Sequence, residues 1–508
     1  MDLRILASNF EFKTVGGPRY PPPTRPRHGD TFDAKELTSS STLNHESSSG
    51  AVDDTFIQAG QQTSAGSSAW NTNASSASWT PNEIESNSPK QQENAVGIVP
   101  SFSWPPKNKY RVFAACLTYF GNGLNDAAPG ALIPYMERGY NIGYAIASLI
   151  FVANAVGFVT TAFCSDVVHS KLGRARTLMM SEIIFAFGYL IIVFTPPFAA
   201  VVVSFFLLGL GCAFNLALNN VFVSNLSGST VLLGAAHGSY GVGGLIAPLI
   251  CTAMVSNGVL WSRFYIITLG LRVVTFFFTG WANRGYDEEP TSKFAASLEL
   301  LSSQQAEVPK EQTKLQLLKQ ALRNKTTLLG ALFIFAYQGA EVSISGWVIS
   351  YLITARNGDP SQVGYVTSGF WGGITLGRFV LVYIAGRVGE RLSVYILIAE
   401  SIGLQLIVWF VPNIVGNAVA VALLGLLLGP VYPCCATIFA RLLPSRIQVS
   451  SISFISSAGS SGGAVAPFMT GLLAQAVGTY VLHPICIAMF VVMTICWRLL
   501  PKTTKKAE

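Results

Sequence analysis

The chain has 508 residues, of which 50% are hydrophobic and only 12% are charged, and its formal net charge is +7. Soluble domains carry roughly a quarter charged residues, so this composition excludes an ordinary soluble protein. The Lys and Arg residues stand between long apolar segments rather than on one basic face, which argues against nucleic acid as a partner and is typical of a polytopic membrane protein.

The N-terminal segment, residues 1–108, differs from the rest of the chain. It is rich in Ser, Thr, Asn and Pro, and it lacks the basic end, apolar core and cleavage site of a secretory signal. Because it holds too little apolar surface to offset the entropy of ordering, we predict a disordered cytoplasmic tail.

Apolar segments long enough to cross about 30 Å of hydrocarbon as helices follow the tail. Twelve spans are predicted, at 110–134, 145–165, 177–195, 199–223, 232–255, 262–281, 328–354, 362–385, 393–411, 415–440, 449–476 and 479–499. The first six form an N-terminal bundle, residues 109–281, and the last six form a C-terminal bundle, residues 328–499.

A polar linker, residues 282–327, joins the bundles, and residues 500–508 form a C-terminal tail. Leu315, Leu318 and Leu322 of the linker predict a short amphipathic helix along the cytoplasmic face. Loops on the linker's side hold most of the Lys and Arg residues, so both termini and the linker are predicted to be cytoplasmic. We expect the plasma membrane rather than a vacuolar or other internal membrane.

The two bundles repeat each other in sequence. Gly123 recurs 216 residues later as Gly339, and a Gly-Gly-x-x-Ala-Pro motif ending at Pro248 recurs at Pro467, 219 residues later. The sequence therefore predicts an all-α membrane protein with twelve transmembrane helices in two pseudo-symmetric six-helix bundles. Carriers with parallel repeats alternate access by rocking such halves against each other.

Polar side chains inside the spans are the candidate functional residues, because a charged group at a helix centre costs about 3 kcal/mol on insertion scales. We assign proton coupling to Asp126 and Glu341, since a carboxylate in a polar cavity can exchange a proton as the cavity opens to each side. His237 is equally compatible with a packing role. The predicted substrate cavity comprises Asn122, Asn125, Asn215, Asn219, Asn220, His237, Tyr240, Tyr337, Gln338, Trp371 and Arg378.

Other roles for the intramembrane charges stay open. Asp126 could pair permanently with Arg378 or with asparagine amides and only hold helices together, and Arg378 could serve a gate. Glu182, Arg272 and Glu400 lie in spans three, six and nine, which tend to be peripheral, so we interpret them as structural. The eight cysteines lie inside apolar segments, which predicts packing rather than metal ligation.

Charged loop motifs follow the second and eighth spans. The first reads Ser165-Asp166 and then Gly173-Arg-Ala-Arg176, and the second reads Gly386-Arg-Val-Gly-Glu-Arg391. They resemble the Gly-x-x-x-Asp-Arg-x-Gly-Arg-Arg signature of the major facilitator superfamily, although the first copy carries an insertion and the second has Gly386 in place of Asp. The resemblance implies that charged residues latch a cytoplasmic gate, namely Asp166, Arg174, Arg176, Arg387 and Arg391.

A closer resemblance lies inside the spans. Asn122-Gly-Leu-Asn-Asp126 and Gly209-Leu-Gly-Cys212 resemble the first and fourth helices of the fucose–galactose–glucose:proton symporter group, and spans seven and eight look like a fungal branch. The resemblance covers residues 110–499 and implies a proton-linked Asp126. It departs in span four, where the group has a glutamate and this chain has Asn215.

The predicted function is secondary active transport of a small organic solute, with a sugar-like solute as the first choice, coupled to protons by alternating access. The alternatives are efflux of a drug or secondary metabolite and a non-transporting nutrient receptor. Pro248 follows its glycines rather than leading them as in drug:proton antiporters, and no nucleotide-binding loop or enzyme motif is present. We expect a monomer in a lipid bilayer whose partners are a small-molecule substrate and protons, with no cofactor.

Overall fold

The computed structural model describes residues 100–289 and 314–501, and every regular element in these ranges is helical. Most of the predicted N-terminal tail, the middle of the linker and residues 502–508 lie outside the described residues. The longer helices are Asn108–Tyr140, Leu149–Val193, Phe198–Ser224, Ser229–Ser256, Phe264–Asn283, Lys314–Arg323, Lys325–Arg356, Val366–Val388, Glu390–Phe410, Ile414–Leu428, Val431–Leu442, Ser445–Val477 and Leu482–Leu499. Short helices and 3₁₀ turns are Tyr144–Ala147, Trp261–Arg263, Tyr286–Glu288, Pro360–Val363 and Thr479–Val481.

The helices that contain the predicted spans keep the ordinal names of those spans. Ten helices in the described ranges are long and apolar enough to cross a membrane. The first span, Asn108–Tyr140, and the eleventh, Ser445–Val477, have 33 residues each but carry more polar residues. With these two helices the described chain is consistent with twelve spans.

Equivalent helices pack against each other in the two bundles. Span one packs against spans five and six, and span seven packs against spans eleven and twelve. A Cβ atom added to Gly243 of span five would lie 2.1 Å from the carbonyl oxygen of Phe120, and one added to Gly462 of span eleven would lie 2.0 Å from that of Phe335. Small residues at equivalent places thus let equivalent helix backbones touch, which confirms the predicted pair of pseudo-symmetric bundles.

The bundles contact each other through spans one and seven, two and eleven, and five and eight. A Cβ atom added to Gly130 of span one would lie 2.1 Å from the carbonyl oxygen of Ser345 in span seven. One added to Gly471 of span eleven would lie 2.7 Å from the Cβ atom of Ser148, at the start of span two. The contacts of Gly130 and Gly471 lie toward the end of the spans opposite to Asn108, which we name the far end. The halves are therefore closed against each other at the far end.

Spans two and three form one helical element, Leu149–Val193, that is interrupted at Gly173. The φ and ψ angles of Gly173 are 72° and 174°, a region that is essentially restricted to glycine. A Cβ atom there would lie 2.4 Å from Oδ2 of Asp287, at the start of the linker. Glycine at this position lets the interhelical turn dock on the linker.

Gly173→Ala is expected to lower the thermal stability of the purified protein more than Gly228→Ala does. Gly228 also has a positive φ, 73°, but no atom lies within 4 Å of its would-be Cβ among the described residues. Its replacement adds left-handed backbone strain of about 1 kcal/mol, whereas Gly173→Ala places alanine in a region essentially restricted to glycine and also displaces the Asp287 carboxylate from the turn. Unfolding temperatures of the two variants measure the difference, and equal temperatures would contradict the described conformation of the turn.

Candidate functional site

The first carboxylate of the predicted site, Asp126, lies in span one with both oxygens engaged. Its Oδ1 accepts a hydrogen bond of 2.9 Å from Nδ2 of Asn125, and its Oδ2 accepts one of 2.9 Å from the hydroxyl of Tyr240 in span five. Of the two static pairings that the sequence left open, the asparagine contact is present. Arg378 lies instead with the second carboxylate.

The second carboxylate, Glu341 of span seven, lies in a cluster of the C-terminal bundle. Its side chain is buried, with 3% of the residue exposed. The hydroxyl of Tyr337 donates to the carbonyl oxygen of Leu428 at 3.2 Å, and the guanidinium of Arg378 lies within electrostatic range of Glu341. Oε2 of Glu341 has no hydrogen-bond partner among the described residues, so its hydrogen-bonding capacity is unused in this conformation.

Tyr240 lies between the two carboxylates. Its ring meets that of Trp371 in span eight edge to face, with the centroids 6.0 Å apart, and the indole Nε1 donates to Oγ of Ser345 at 3.0 Å. The phenol also lies within electrostatic range of Glu341 and Arg378. Spans five and eight therefore join the polar clusters of the two halves in the middle of the molecule.

Polar groups continue from this centre toward the end opposite to the far end. The exposed His237 packs edge to face on Tyr119, whose hydroxyl donates to Oδ1 of Asn220. Span eleven presents an exposed serine face at helical spacing, made of Ser453, Ser456, Ser457, Ser460 and Ser461. Such a face indicates that this part of span eleven borders a polar space rather than hydrocarbon.

The asparagines of the predicted cavity are mostly buried in the N-terminal bundle. Asn122 and Asn215 are buried and bond to each other at 2.9 Å, while Asn125 serves Asp126. Asn219 does not join them, because its Oδ1 accepts a hydrogen bond of 3.0 Å from Arg174. It lies one helical turn beyond Asn215, beside the turn at Gly173, so the structure places it away from the central site.

Gln338 of span seven lies against span eleven. A Cβ atom added to Gly463 would lie 3.2 Å from its Cγ atom, and one added to Gly459 would lie 3.4 Å from its Oε1. The side chain is half-buried at this helix contact. Gln338 is thus next to the serine face rather than to Asp126.

An ion pair in the N-terminal bundle was not assigned to the site by the sequence. Nη1 of Arg272 in span six lies 3.2 Å from Oε2 of Glu182 in span three, and both side chains are buried. Nη2 of Arg272 donates to Oδ1 of Asn122 at 2.8 Å. The sequence does show opposite charges in two spans of one bundle. It does not show that spans three and six pack beside span one so that these charges meet.

Arg174, a predicted gate residue, is buried at the end of the N-terminal bundle. Its side chain donates to the carbonyl oxygen of Leu218 at 2.7 Å and to Oδ1 of Asn283 at 3.0 Å. Its backbone N–H donates to Oδ2 of Asp287 at 2.9 Å. In this conformation Arg174 therefore ties the turn after span two to span six and to the linker.

The other predicted gate residues lie apart from Arg174. Arg176 is exposed, and Arg387 lies over the ring of Tyr383 with 4.4 Å between the guanidinium carbon and the ring centroid. Arg391 donates to the carbonyl oxygen of Leu500 at 2.7 Å and so anchors the end of span twelve. The side chain of Asp166 lies outside the described part of the structure. The described gate residues contact their own halves, consistent with a latch that is open at this end.

Two pseudo-symmetric helical bundles around a buried polar centre define the class of polytopic membrane carriers. The family model of the Major Facilitator Superfamily matches residues 115–357 and 340–508, so the chain belongs to this superfamily. It is accordingly a multi-pass integral membrane protein, and the proteins of this family are generally carriers rather than enzymes.

Individual proteins show the same relationship. The chain is 27% identical over 435 residues to bypass of stop codon protein 6 of Saccharomyces cerevisiae, covering 79% of this chain and 84% of that protein. It is 21% identical over 381 residues to a hexuronate transporter of Bacillus subtilis, covering 71% and 86% of the two. The crystal structure of a mutant of the nucleoside transporter NupG superposes with a TM-score of 0.61 at 14% identity, covering 77% of this chain and 99% of that one, and shows the shared fold.

Proposed function

We propose that this protein is a proton-coupled secondary transporter of a small, hydroxyl-rich organic solute, with a sugar-like solute as the first choice. The observation that carries the proposal is the presence of an intramembrane carboxylate in each half, with Tyr240 near both. Asp126 of one half accepts a hydrogen bond from Tyr240 at the interface of the halves, and Glu341 of the other half lies within electrostatic range of Tyr240. Carboxylates inside a membrane mark proton relays or substrate pathways in carriers.

Alternating access is supported by the contacts between the halves. The bundles are closed at the far end, where Gly130 meets Ser345. By the distribution of Lys and Arg, the far end faces away from the cytoplasm. The conformation is then the one in which the site is reached from the cytoplasm, through the space beside the serine face. We also propose that both termini are cytoplasmic, that the protein lies in the plasma membrane and that it is a monomer.

Protonation of Asp126 would act on the interface through Tyr240. The hydroxyl of Tyr240 donates to the carboxylate, and hydrogen bonds to an ionised acceptor are roughly twice as strong as neutral ones. Neutralising Asp126 weakens this bond and frees Tyr240, whose ring touches Trp371 of the other half. Proton binding would thereby loosen a contact across which the halves must rock.

The chemistry of the site favours a solute that supplies hydrogen-bond donors. Oε2 of Glu341 is an acceptor with no partner among the described residues. On the serine face, the hydroxyls of Ser457 and Ser461 donate to backbone carbonyls four residues earlier at 2.9 and 3.1 Å, so their lone pairs remain available as acceptors. Sugar hydroxyls match such acceptors. The hexuronate and nucleoside in the names of two similar proteins also carry sugar hydroxyls.

Flux in vesicles tests the proposal. The full-length protein is reconstituted into liposomes, and uptake of three labelled probes is measured: a neutral hexose, a hexuronate and a nucleoside. With the outside more acidic than the lumen, we expect at least one probe to enter several-fold faster than without the gradient. Equal rates with and without the gradient would refute proton coupling, gradient-driven movement opposite to the protons would favour efflux, and no flux of any probe would refute the sugar-like substrate class.

A further inference from the structure

A chain of polar contacts leads from Asp126 deep into the N-terminal bundle. Asn125, which donates to Asp126, accepts at its Oδ1 a hydrogen bond of 3.0 Å from the hydroxyl of Tyr189 in span three. Arg272 pairs with Glu182 at 3.2 Å and donates from Nη2 to Oδ1 of Asn122 at 2.8 Å. Asn122 lies one helical turn before Asp126 in span one, so the buried ion pair contacts this span close to the proposed proton carrier.

We propose that the Glu182–Arg272 pair is a positioning device that sets the pH at which Asp126 takes up its proton. The proposal rests on the function proposed above and assigns Arg272 and Glu182 a role through Asp126, without contact to solute. The positive charge of Arg272 favours the ionised form of Asp126, and the negative charge of Glu182 offsets part of this effect. Asn125 and Tyr189 keep the carboxylate at a defined place relative to the pair.

Few other charged or titratable groups lie around Asp126. Their influence on its protonation can therefore be distinguished from that of the Glu182–Arg272 pair. Besides Tyr189 and Arg272, the groups that interact with Asp126 from neighbouring spans are Cys212 of span four and Tyr240 of span five. Glu182 is in contact with Arg272 and acts through it. From the other half, Glu341 of span seven and Arg378 of span eight reach Tyr240. Arg272 is the cation whose charge acts on Asp126 itself.

The contribution of the Glu182–Arg272 pair to folding stability does not by itself explain its presence. Replacing a buried ion pair by packed apolar residues is often neutral or stabilising, so a buried pair is weak evidence for a structural role. The bundle also makes room for the guanidinium: a Cβ atom on Gly121 of span one would lie 3.0 Å from Cζ of Arg272, which lies 3.7 Å from the ring centroid of Phe185. The counterpart of Glu182 in the other half, Glu400, lies 218 residues later and is exposed.

Opposite single neutralisations test the proposal with the proton itself as the probe. The full-length protein in liposomes is titrated while infrared difference spectra record the band of a protonated carboxyl, assigned to Asp126 by its loss in Asp126→Asn. Glu182→Gln leaves the Arg272 charge unopposed, so the midpoint should move to lower pH by roughly one unit or more. Arg272→Gln removes the cation and should move the midpoint to higher pH by a similar amount.

Three further variants keep the test decisive. Glu182→Gln combined with Arg272→Gln carries no net change in charge and should return the midpoint toward that of the wild type. Tyr189→Phe retains the pair but removes the hydroxyl that polarises Asn125, so it should raise the midpoint even if the single neutralisations fail to fold. The matched control Glu400→Gln should leave the midpoint unchanged, since Glu400 is exposed in the other half.

The outcomes separate the inference from the proposed function. Opposite shifts support the positioning role, because loss of packing alone would not move the midpoint in opposite directions. Where only one single variant folds, its shift in the predicted direction together with the return of the double variant toward the wild-type midpoint supports the role. A midpoint that stays unchanged in these variants overturns the inference alone. If the wild type shows no titrating band that Asp126→Asn removes, the proposed function itself fails.

Discussion

Asp126→Asn is expected to abolish solute accumulation driven by a pH gradient while exchange of labelled for unlabelled solute continues. Asparagine has nearly the shape of aspartate, and its Oδ1 can still accept the hydrogen bond that Tyr240 donates. It cannot carry a proton, so the gradient no longer drives net movement, and the ratio of internal to external solute should fall to about one. Exchange needs the site and the rocking of the halves but no net proton transfer.

The two assays are run on the same proteoliposomes. Asp359→Asn is the matched control, because Asp359 is an exposed carboxylate outside the spans that caps the short helix Pro360–Val363. Hydrogen bonds from the backbone N–H and hydroxyl of Ser361 lower the pKa of Asp359, so it remains ionised across the range of the assay. Accumulation by Asp126→Asn at the level of Asp359→Asn would remove Asp126 from the coupling mechanism.

Gly130→Ala is expected to reduce transport more than tenfold without unfolding the protein. The added Cβ atom would lie 2.1 Å from the backbone carbonyl oxygen of Ser345, and a rigid backbone atom cannot give way as the end of a flexible side chain can. The collision lies between the halves and not within one of them. The far end can then no longer close, although each bundle keeps its own packing.

Whether the far end closes can be measured directly, from the accessibility of a residue that is buried there. Ser148 at the start of span two is fully buried, so a cysteine placed there should be protected from a membrane-impermeant maleimide in the parent protein and reactive when combined with Gly130→Ala. Gly270→Ala in span six is the control, because no atom lies within 4 Å of its would-be Cβ among the described residues. Normal transport together with a protected cysteine in Gly130→Ala would show that the described contact does not form.

The architecture could be predicted because the bilayer leaves few choices. Length and apolarity locate spans, so the predicted fourth span, 199–223, differs by one residue at each end from the helix Phe198–Ser224. Apolarity marks hydrocarbon and not helix, however, so the continuation of the helix past the second span to Gly173 could not be inferred. Spans one and eleven were likewise placed by length and apolarity, although they are not among the ten most apolar helices of the described residues.

The site was only partly predictable. Carboxylates inside spans are rare, so Asp126 and Glu341 stand out in the sequence as candidates, and the structure shows both to be in polar surroundings. Which face of a helix a residue occupies and which neighbour meets it depend on helix rotation and packing. The sequence therefore grouped Asn219 with the cavity, although Arg174 holds it. For the same reason it separated Arg272 from Asp126, although Arg272 donates to Asn122, one helical turn from Asp126.

Proton movement caused by the solute is the most direct test of the central claim that solute and proton cross together through Asp126. Proteoliposomes containing a pH-sensitive dye are prepared without an imposed gradient, and the probe that gives flux in the uptake assay is added outside. The predicted result is acidification of the lumen by the wild-type protein and none by Asp126→Asn. Entry of the labelled probe into wild-type vesicles with no change of luminal pH would contradict the account.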